Sequence, residues 1–335
     1  MTRPRVGFLG VGWIGRHRMA AMLDTGLIEA VAVADPSAEM VAEALTLAPG
    51  AVVVDGLDAL LALGLDGIVI ATPSALHAEQ SIRALDAGAA VFCQKPLGRD
   101  AAEAARVVEA ARRADRLLSV DFSYRYTAGM KAIAPLVRDG VLGRVFAVDL
   151  TFHNAYGPDK PWFYDRAQSG GGCVMDLGVH LVDLALWALG FPAFDGPVTA
   201  QLLADGRPLT GDAVEDYAAA QFRLADGTMV RLTCSWRLQA GQEAVIEAAF
   251  YGTAGGGRLR NVGGSFYDFA AERLTGTRTE RLTAGPDEWG GRAGADWARR
   301  LAAGERFSNE ADQLVRVAEV LDAIYARSPA IAGDI

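Results

Sequence analysis

Residues 5–24 read RVGFLGVGWIGRHRMAAMLD: a short apolar run, a turn with three glycines, then a helical pattern. Gly10, Gly12 and Gly15 make G-x-G-x-x-G, with Val11, Trp13 and Ile14 between them. No other feature constrains the fold as much. A strand that feeds a helix through such a turn opens a βαβ unit, and the free N–H groups at the start of the helix suit an anionic pyrophosphate. Gly10 permits the tight turn, Gly12 lets a phosphate approach the backbone, and Gly15 allows close packing of helix on strand. Asp35 closes the next strand, 20 residues after Gly15. A carboxylate there accepts hydrogen bonds from adenosine ribose hydroxyls and repels a 2′-phosphate, so NAD is expected, with NADP as the alternative. Asp35 can also cap the helix that begins after Pro36.

The first 121 residues repeat this pattern. Strands are expected over 5–10, 30–35, 51–55, 67–71, 90–94 and 117–121, with helical patterns such as 13–24, 75–87 and 100–114 between them. Continuous β-branched runs mean parallel strands buried on both faces, and with helices between them they make a doubly wound α/β domain. From 122 to 335 the pattern changes. The runs 143–153, 216–227, 228–237 and 243–252 are longer and partly alternating, and Ala225-Asp226-Gly227 marks a turn. They predict a largely antiparallel sheet with helices over 126–139, 173–189 and 309–327, the last packing back toward the first domain. Two domains also suit 335 residues, too many for one core.

Composition excludes several functions. The net charge is -9, and no basic run is present, which argues against nucleic acid or an anionic membrane surface. Cys93, Cys173 and Cys234 are odd in number and scattered, so neither a disulfide framework nor a zinc site is expected. His153 has no second ligand at metal spacing, and no metal is expected. The start of the chain lacks the pattern of a cleaved signal, and no apolar run of about 18 residues is free of charge. A reduced, cytoplasmic protein outside the membrane is the expectation.

Two further stretches carry chemistry. Of 32 Lys and Arg residues only Lys95, Lys131 and Lys160 are lysine. Arginine serves wherever a generic cation suffices, yet Gln94-Lys95-Pro96 keeps a lysine directly after the fifth strand. Ligands of doubly wound sheets bind beyond the carboxyl ends of the strands, and a compact ammonium has an adjustable pKa that a guanidinium lacks. In the second stretch, Gly170-Gly171-Gly172 offers open backbone before a helix in which Asp176 and His180 share a face at i, i+4, beside an apolar stripe of Leu177, Leu181, Leu184 and Trp187. An imidazole suits proton transfer near neutral pH, and Asp176 can orient it. The other histidines are His17, His77 and His153; His17 reads as an ordinary surface or packing residue.

Together these pieces resemble the Gfo/Idh/MocA family (glucose–fructose oxidoreductase, inositol dehydrogenase, rhizopine catabolism). The resemblance runs through the glycine turn at 10–15, ATPSALH at 71–77, QKP at 94–96, SYRY at 123–126, GGGCVMDLGVHLVDLALW at 171–187 and NEADQLVRVAEVLDAIYARS at 309–328. The family signature is Glu-Lys-Pro; here Gln94 replaces the glutamate and removes a charge beside the nicotinamide. The resemblance implies a Rossmann domain, a C-terminal α+β domain with an open-faced mixed sheet, and a site between them. It implies NAD(P)-dependent oxidation of an aldose at C1 or of a cyclitol hydroxyl, with Lys95, Asp176 and His180 as the catalytic group. Gly10, Gly12, Trp13, Ile14, Asp35, Thr72, Pro73, His77, Gln94 and Lys95 would hold the cofactor. Substrate contacts would come from Lys95, Tyr124, Arg125, His153, Asn154, Lys160, Trp162, Tyr164, Asp165, Asp176 and His180; HNAYGPDKPWFYD (153–165) offers aromatic faces to sugar C–H groups. The open sheet face implies a homodimer or homotetramer. Two alternatives stay open. An NADPH-dependent reductase of a keto sugar or imine would be favoured by arginine after Asp35, where Pro36 stands. An inactive nucleotide-sensing or scaffold protein would be expected to lose the lysine or the histidine, and both are present.

Overall fold

The computed structural model describes residues 2–283 and 285–326, in two compact units. The first unit runs to Ser123 and includes Gly290–Val315. Its sheet has six strands: β1 (Arg5–Leu9), β2 (Glu29–Ala34), β3 (Val52–Val53), β4 (Gly67–Ile70), β5 (Ala90–Cys93) and β6 (Leu118–Val120). Their order is β3-β2-β1-β4-β5-β6, and every neighbouring pair is parallel. β4 and β5 are buried at every residue, which is why they read as unbroken apolar runs. The helices are α1 (Trp13–Leu23), α2 (Ala38–Leu47), α3 (Leu57–Leu61), α4 (Ser74–Asp86) and α5 (Ala101–Ala114). Asp100 caps α5 by accepting from the Glu103 N–H at 2.7 Å, a contact worth about 1 kcal/mol. The strand order reverses between β1 and β4, and ligands of such sheets bind at that switch point.

The second unit comprises Tyr124–Trp289 and the chain from Arg316. It holds α6 (Ala128–Arg138), α7 (Arg166–Ser169), α8 (Val179–Ala188) and a nine-stranded sheet: β7 (Val145–Asn154), β8 (Phe194–Ala204), β9 (Arg207–Pro208), β10 (Tyr217–Leu224), β11 (Met229–Ser235), β12 (Ala244–Gly252), β13 (Gly256–Asn261), β14 (Phe269–Thr275) and β15 (Arg278–Arg281). The order is β15-β14-β13-β12-β7-β11-β10-β8-β9. Only β7 and β11 pair in parallel, so the sheet is mixed and mostly antiparallel, as expected. Along β7, Val148, Leu150 and Phe152 are buried on one face, while Asp149, Thr151 and His153 occupy the other. That other face carries charge pairs: Arg231 pairs with Asp149, and Glu272 with Arg258 and Arg260. α8 is buried almost all round, from Val179 to Ala188. The 23-residue stretch Arg166–Ala188 has the length and apolar character of a membrane span, but 89% of its most apolar window is buried inside the fold.

Two helices close the chain. α9 (Arg292–Ala302) returns to the first unit, so residues 122–335 do not form one uninterrupted second unit. Trp297 explains the return: it is fully buried against Phe92, with ring centroids 6.0 Å apart, and a Cβ at Gly67 would lie 2.8 Å from its ring. α10 (Asp312–Ala326) is grouped with the second unit from Arg316 onward, where Arg316 donates to the Phe191 carbonyl and Tyr325 to Glu215. Arg327 and Ser328, the end of the closing motif, lie outside the described residues.

Candidate active site

The glycine turn leaves β1 at the switch point. Gly10 has φ +83°, and a Cβ there would sit 2.5 Å from the Ala71 carbonyl oxygen. A Cβ on Gly15 would lie 2.2 Å from the Gly10 carbonyl oxygen, so helix and turn are pressed together. Gly12 is the contrast: nothing stands within 4 Å of its missing Cβ. The first and third glycines are required by the fold, and the second leaves the open cradle that a pyrophosphate needs. Asp35 locks the turn to the end of β2, with Oδ2 accepting from Val11 N–H at 2.8 Å and Oδ1 from Ser37 N–H at 2.9 Å. Each oxygen keeps a second lone pair for ribose hydroxyls. Trp13 is 58% exposed, over the ring of His17.

Past β4 and β5, His77 is 1% exposed and both of its ring nitrogens face backbone carbonyls. Its Nδ1 lies 2.6 Å from the Pro96 carbonyl oxygen and its Nε2 2.7 Å from that of Thr72. It therefore bolts the turn after β4 to the turn that carries Lys95. Burial lowers its pKa; the two carbonyl contacts oppose that shift, and Lys95 lowers while Glu103 raises it. A neutral imidazole has one N–H and donates to one of the two carbonyls at a time. Thr72 donates its hydroxyl to Gln80 at 2.6 Å. Pro73 precedes α4 and is half-buried, as is Lys95. Gln94 donates its amide to Asp121 Oδ2 at 2.8 Å, and Arg18 Nε reaches the same oxygen at 2.6 Å. Neither Arg18 nor Asp121 belongs to a motif, and 103 residues separate them, so the sequence does not single the pair out.

In the second unit the glycines before α8 are closely packed rather than open. A Cβ on Gly171 would fall 1.9 Å from the Tyr325 hydroxyl, and one on Gly172 equally near the Glu215 carbonyl oxygen. The buried Glu215 carboxylate accepts from Gly172 N–H at 3.0 Å, Val174 N–H at 2.9 Å and Tyr325 at 2.8 Å. Burial pushes its pKa up, and these hydrogen bonds pull it back. Val174–Gly178 then forms a π turn before α8, so the stretch is not the regular α-helix that the i, i+4 spacing of Asp176 and His180 assumed. Such widened turns recur at functional sites. Asp176 Oδ2 accepts from Trp236 Nε1 at 3.0 Å. Trp236, at the end of β11, meets the rings of Phe163 and Tyr164 with centroids 6.3 and 5.6 Å away. Trp162 stacks on Phe163 at 3.8 Å. His180 is buried edge-on to Tyr124, at 4.9 Å, and Tyr124 also contacts Phe152 and Trp289.

Not every expected substrate contact joins this cluster. His153 is on the sheet face opposite Phe152, stacked on Tyr217 and 2.8 Å from Ser235 Oγ, because β-strand side chains alternate. Burial lowers its pKa. Arg125 forms a bidentate pair with the buried Asp183, an anchor for α8 that the sequence reading missed. Burial pushes the Asp183 carboxyl up and Arg125 opposes it. Asp165 caps α7 through the Ala167 N–H at 3.0 Å. Lys160 is exposed and pairs with Asp159. Asn154 accepts from the Tyr156 N–H and shapes its own loop. Of the expected contacts, Trp162, Tyr164 and Asp176 gather around Trp236, through Phe163 in the case of Trp162, while His180 packs with Tyr124.

The strand order and glycine turn first define a class, the dinucleotide-binding Rossmann proteins. Residues 4–122 match the oxidoreductase family with an NAD-binding Rossmann fold, and residues 130–281 match the GFO/IDH/MocA C-terminal domain. The chain belongs to the GFO/IDH/MocA family and is an NAD-binding oxidoreductase. It is 31% identical to inositol 2-dehydrogenase of Rhizobium meliloti (strain 1021) over 248 residues, 72% of each chain. It is 30% identical to dTDP-3,4-didehydro-2,6-dideoxy-alpha-D-glucose 3-reductase of Streptomyces violaceoruber over 332 residues, 96% of this chain and 94% of that one. Among solved structures, GenD2 from gentamicin A biosynthesis, in complex with NAD, superposes with a TM-score of 0.81 at 26% identity, covering 98% of this chain and 95% of that one.

Proposed function

We propose that this protein oxidises a hydroxyl of a sugar or cyclitol with NAD. Family membership carries the reading, and the printed names of the inositol dehydrogenase and deoxyglucose reductase relatives supply the substrate class. Gly10, Gly12 and the start of α1 hold the pyrophosphate, and Asp35 the adenosine ribose; the open space at Gly12 supports this fit. NAD supplies the hydride acceptor. Asp35 followed by Pro36 offers no cation to a 2′-phosphate, which favours NAD over NADP.

The chain's own groups move the proton and hold the oxygen. His180 takes the proton of the reacting hydroxyl as general base. Lys95 binds that oxygen and favours its anionic form. Asp176, its orientation fixed by the Trp236 indole, accepts from a neighbouring substrate hydroxyl. The rings of Trp162, Tyr164 and Tyr124 suit sugar C–H faces. These roles rest on the match of Lys95, Asp176 and His180 to the family pattern. Replacing Lys95 by Ala should lower kcat by about 100-fold or more with the fold intact; turnover near that of the wild type would sink the assignment.

Reduction of a keto sugar with NADPH is the second reading; the name of the Streptomyces relative supports the reductive direction. We further propose a cytoplasmic setting, supported by three free, buried thiols, and a homodimer or homotetramer built through the half-exposed face of the second sheet.

A further inference from the structure

Gln94, where the chain departs from Glu-Lys-Pro, has a partner that accounts for the change. β5 and β6 are parallel neighbours, with Cys93 opposite Val120, so the next residues, Gln94 and Asp121, emerge side by side. The backbone fixes both: Gln94 N–H donates to Ile70 at 2.9 Å and Asp121 N–H to Cys93 at 3.0 Å. Asp121 is 1% exposed. Its Oδ2 accepts from Arg18 and from the Gln94 amide, and its Oδ1 has no donor among the described residues. Beside this carboxylate stand Arg18 and His17 from α1, with His17 Nδ1 2.9 Å from the Arg18 guanidinium; Lys95 follows Gln94 in the chain.

A buried carboxylate with one cation welcomes a neutral donor and repels a second anion; two carboxylates that share a site drive one pKa upward. A glutamate at 94 could not donate to Asp121 while ionised. Glutamine has the same shape and can. We propose that Gln94 is a positioning residue: its amide is matched to the Arg18-paired carboxylate of Asp121, and this hydrogen bond fixes the end of β5 and so the backbone that presents Lys95. The proposal rests on the reading of Lys95 given above.

The test is Gln94→Glu, followed by kcat against pH and by melting temperature against pH without cofactor. At about pH 8 the introduced carboxyl is ionised against Asp121, and kcat should fall by about 10-fold or more; near pH 6 it regains a proton and the ratio to wild type should approach one. The melting temperature should follow the same trend. Gln94→Glu combined with Asp121→Asn exchanges donor and acceptor and keeps one carboxylate beside Arg18, so it should recover most of the lost activity at about pH 8. A ratio to wild type that does not change with pH would overturn the proposal. So would a pH-dependent melting temperature with unchanged kcat, or a double variant worse than Gln94→Glu. Failure of the Lys95 role itself is seen separately, as full activity of Lys95→Ala with the melting behaviour of Gln94→Glu unaltered.

Discussion

Glu215 is the residue whose ionisation matters most to the turn before α8. It is buried, and its carboxylate is held by the N–H groups of Gly172 and Val174 and by Tyr325. Burial raises its folded-state pKa above the ordinary 4.5 despite those donors. A raised acid pKa means that the folded state binds the proton more tightly than the unfolded chain. The associated stability is therefore fully present below about pH 4.5 and is lost as pH rises through the folded-state value. Glu215→Gln has no such titration. Urea unfolding should show the variant gaining on the wild type as pH rises from about 4; a difference that stays constant with pH would contradict this account. His77 and Asp35 make the complementary point. Both face the cofactor end of the first sheet, yet both have backbone partners, so their first duty is to hold turns in place.

Among the elements, the first sheet was readable because its central strands are buried on both faces and write themselves as apolar runs. The second sheet was readable only in β7, β10, β11 and β12. β13 opens with Gly256 and Gly257, and β15 is exposed at all four residues, so neither offers an apolar alternation. α9 escaped notice because its buried side is mostly Ala293, Gly294, Ala295 and Ala298, small residues that carry little hydropathy, with Trp297 as the one large group. The site divides the same way. Gly10, Gly12, Lys95, Asp176 and His180 were visible as motif members. Trp236, Asp183 and Glu215 were not, because what recommends them is a contact 40 to 60 residues away in sequence (|i−j| 60, 58 and 43). The π turn was invisible because the i, i+4 spacing of Asp176 and His180 is that of an ordinary helix.

Over the whole chain, the cofactor turn and Lys95 belong to the first unit and Asp176 and His180 to the second. The second unit also carries the face with Met229, Arg231 and Thr233 on β11 beside Ala147, Asp149 and Thr151 on β7. If that face joins copies of the chain, light scattering will give a mass two or four times 35.4 kDa; a single 35.4 kDa species at micromolar concentration would contradict the assembly. The central claim is the chemistry. Its most direct measurement is the appearance of NADH when the purified protein meets NAD and a panel of aldoses and cyclitols, with NADP in parallel. The account predicts turnover on at least one of them, faster with NAD than with NADP and lost in His180→Ala. Tight NAD binding with no turnover across the panel would contradict it.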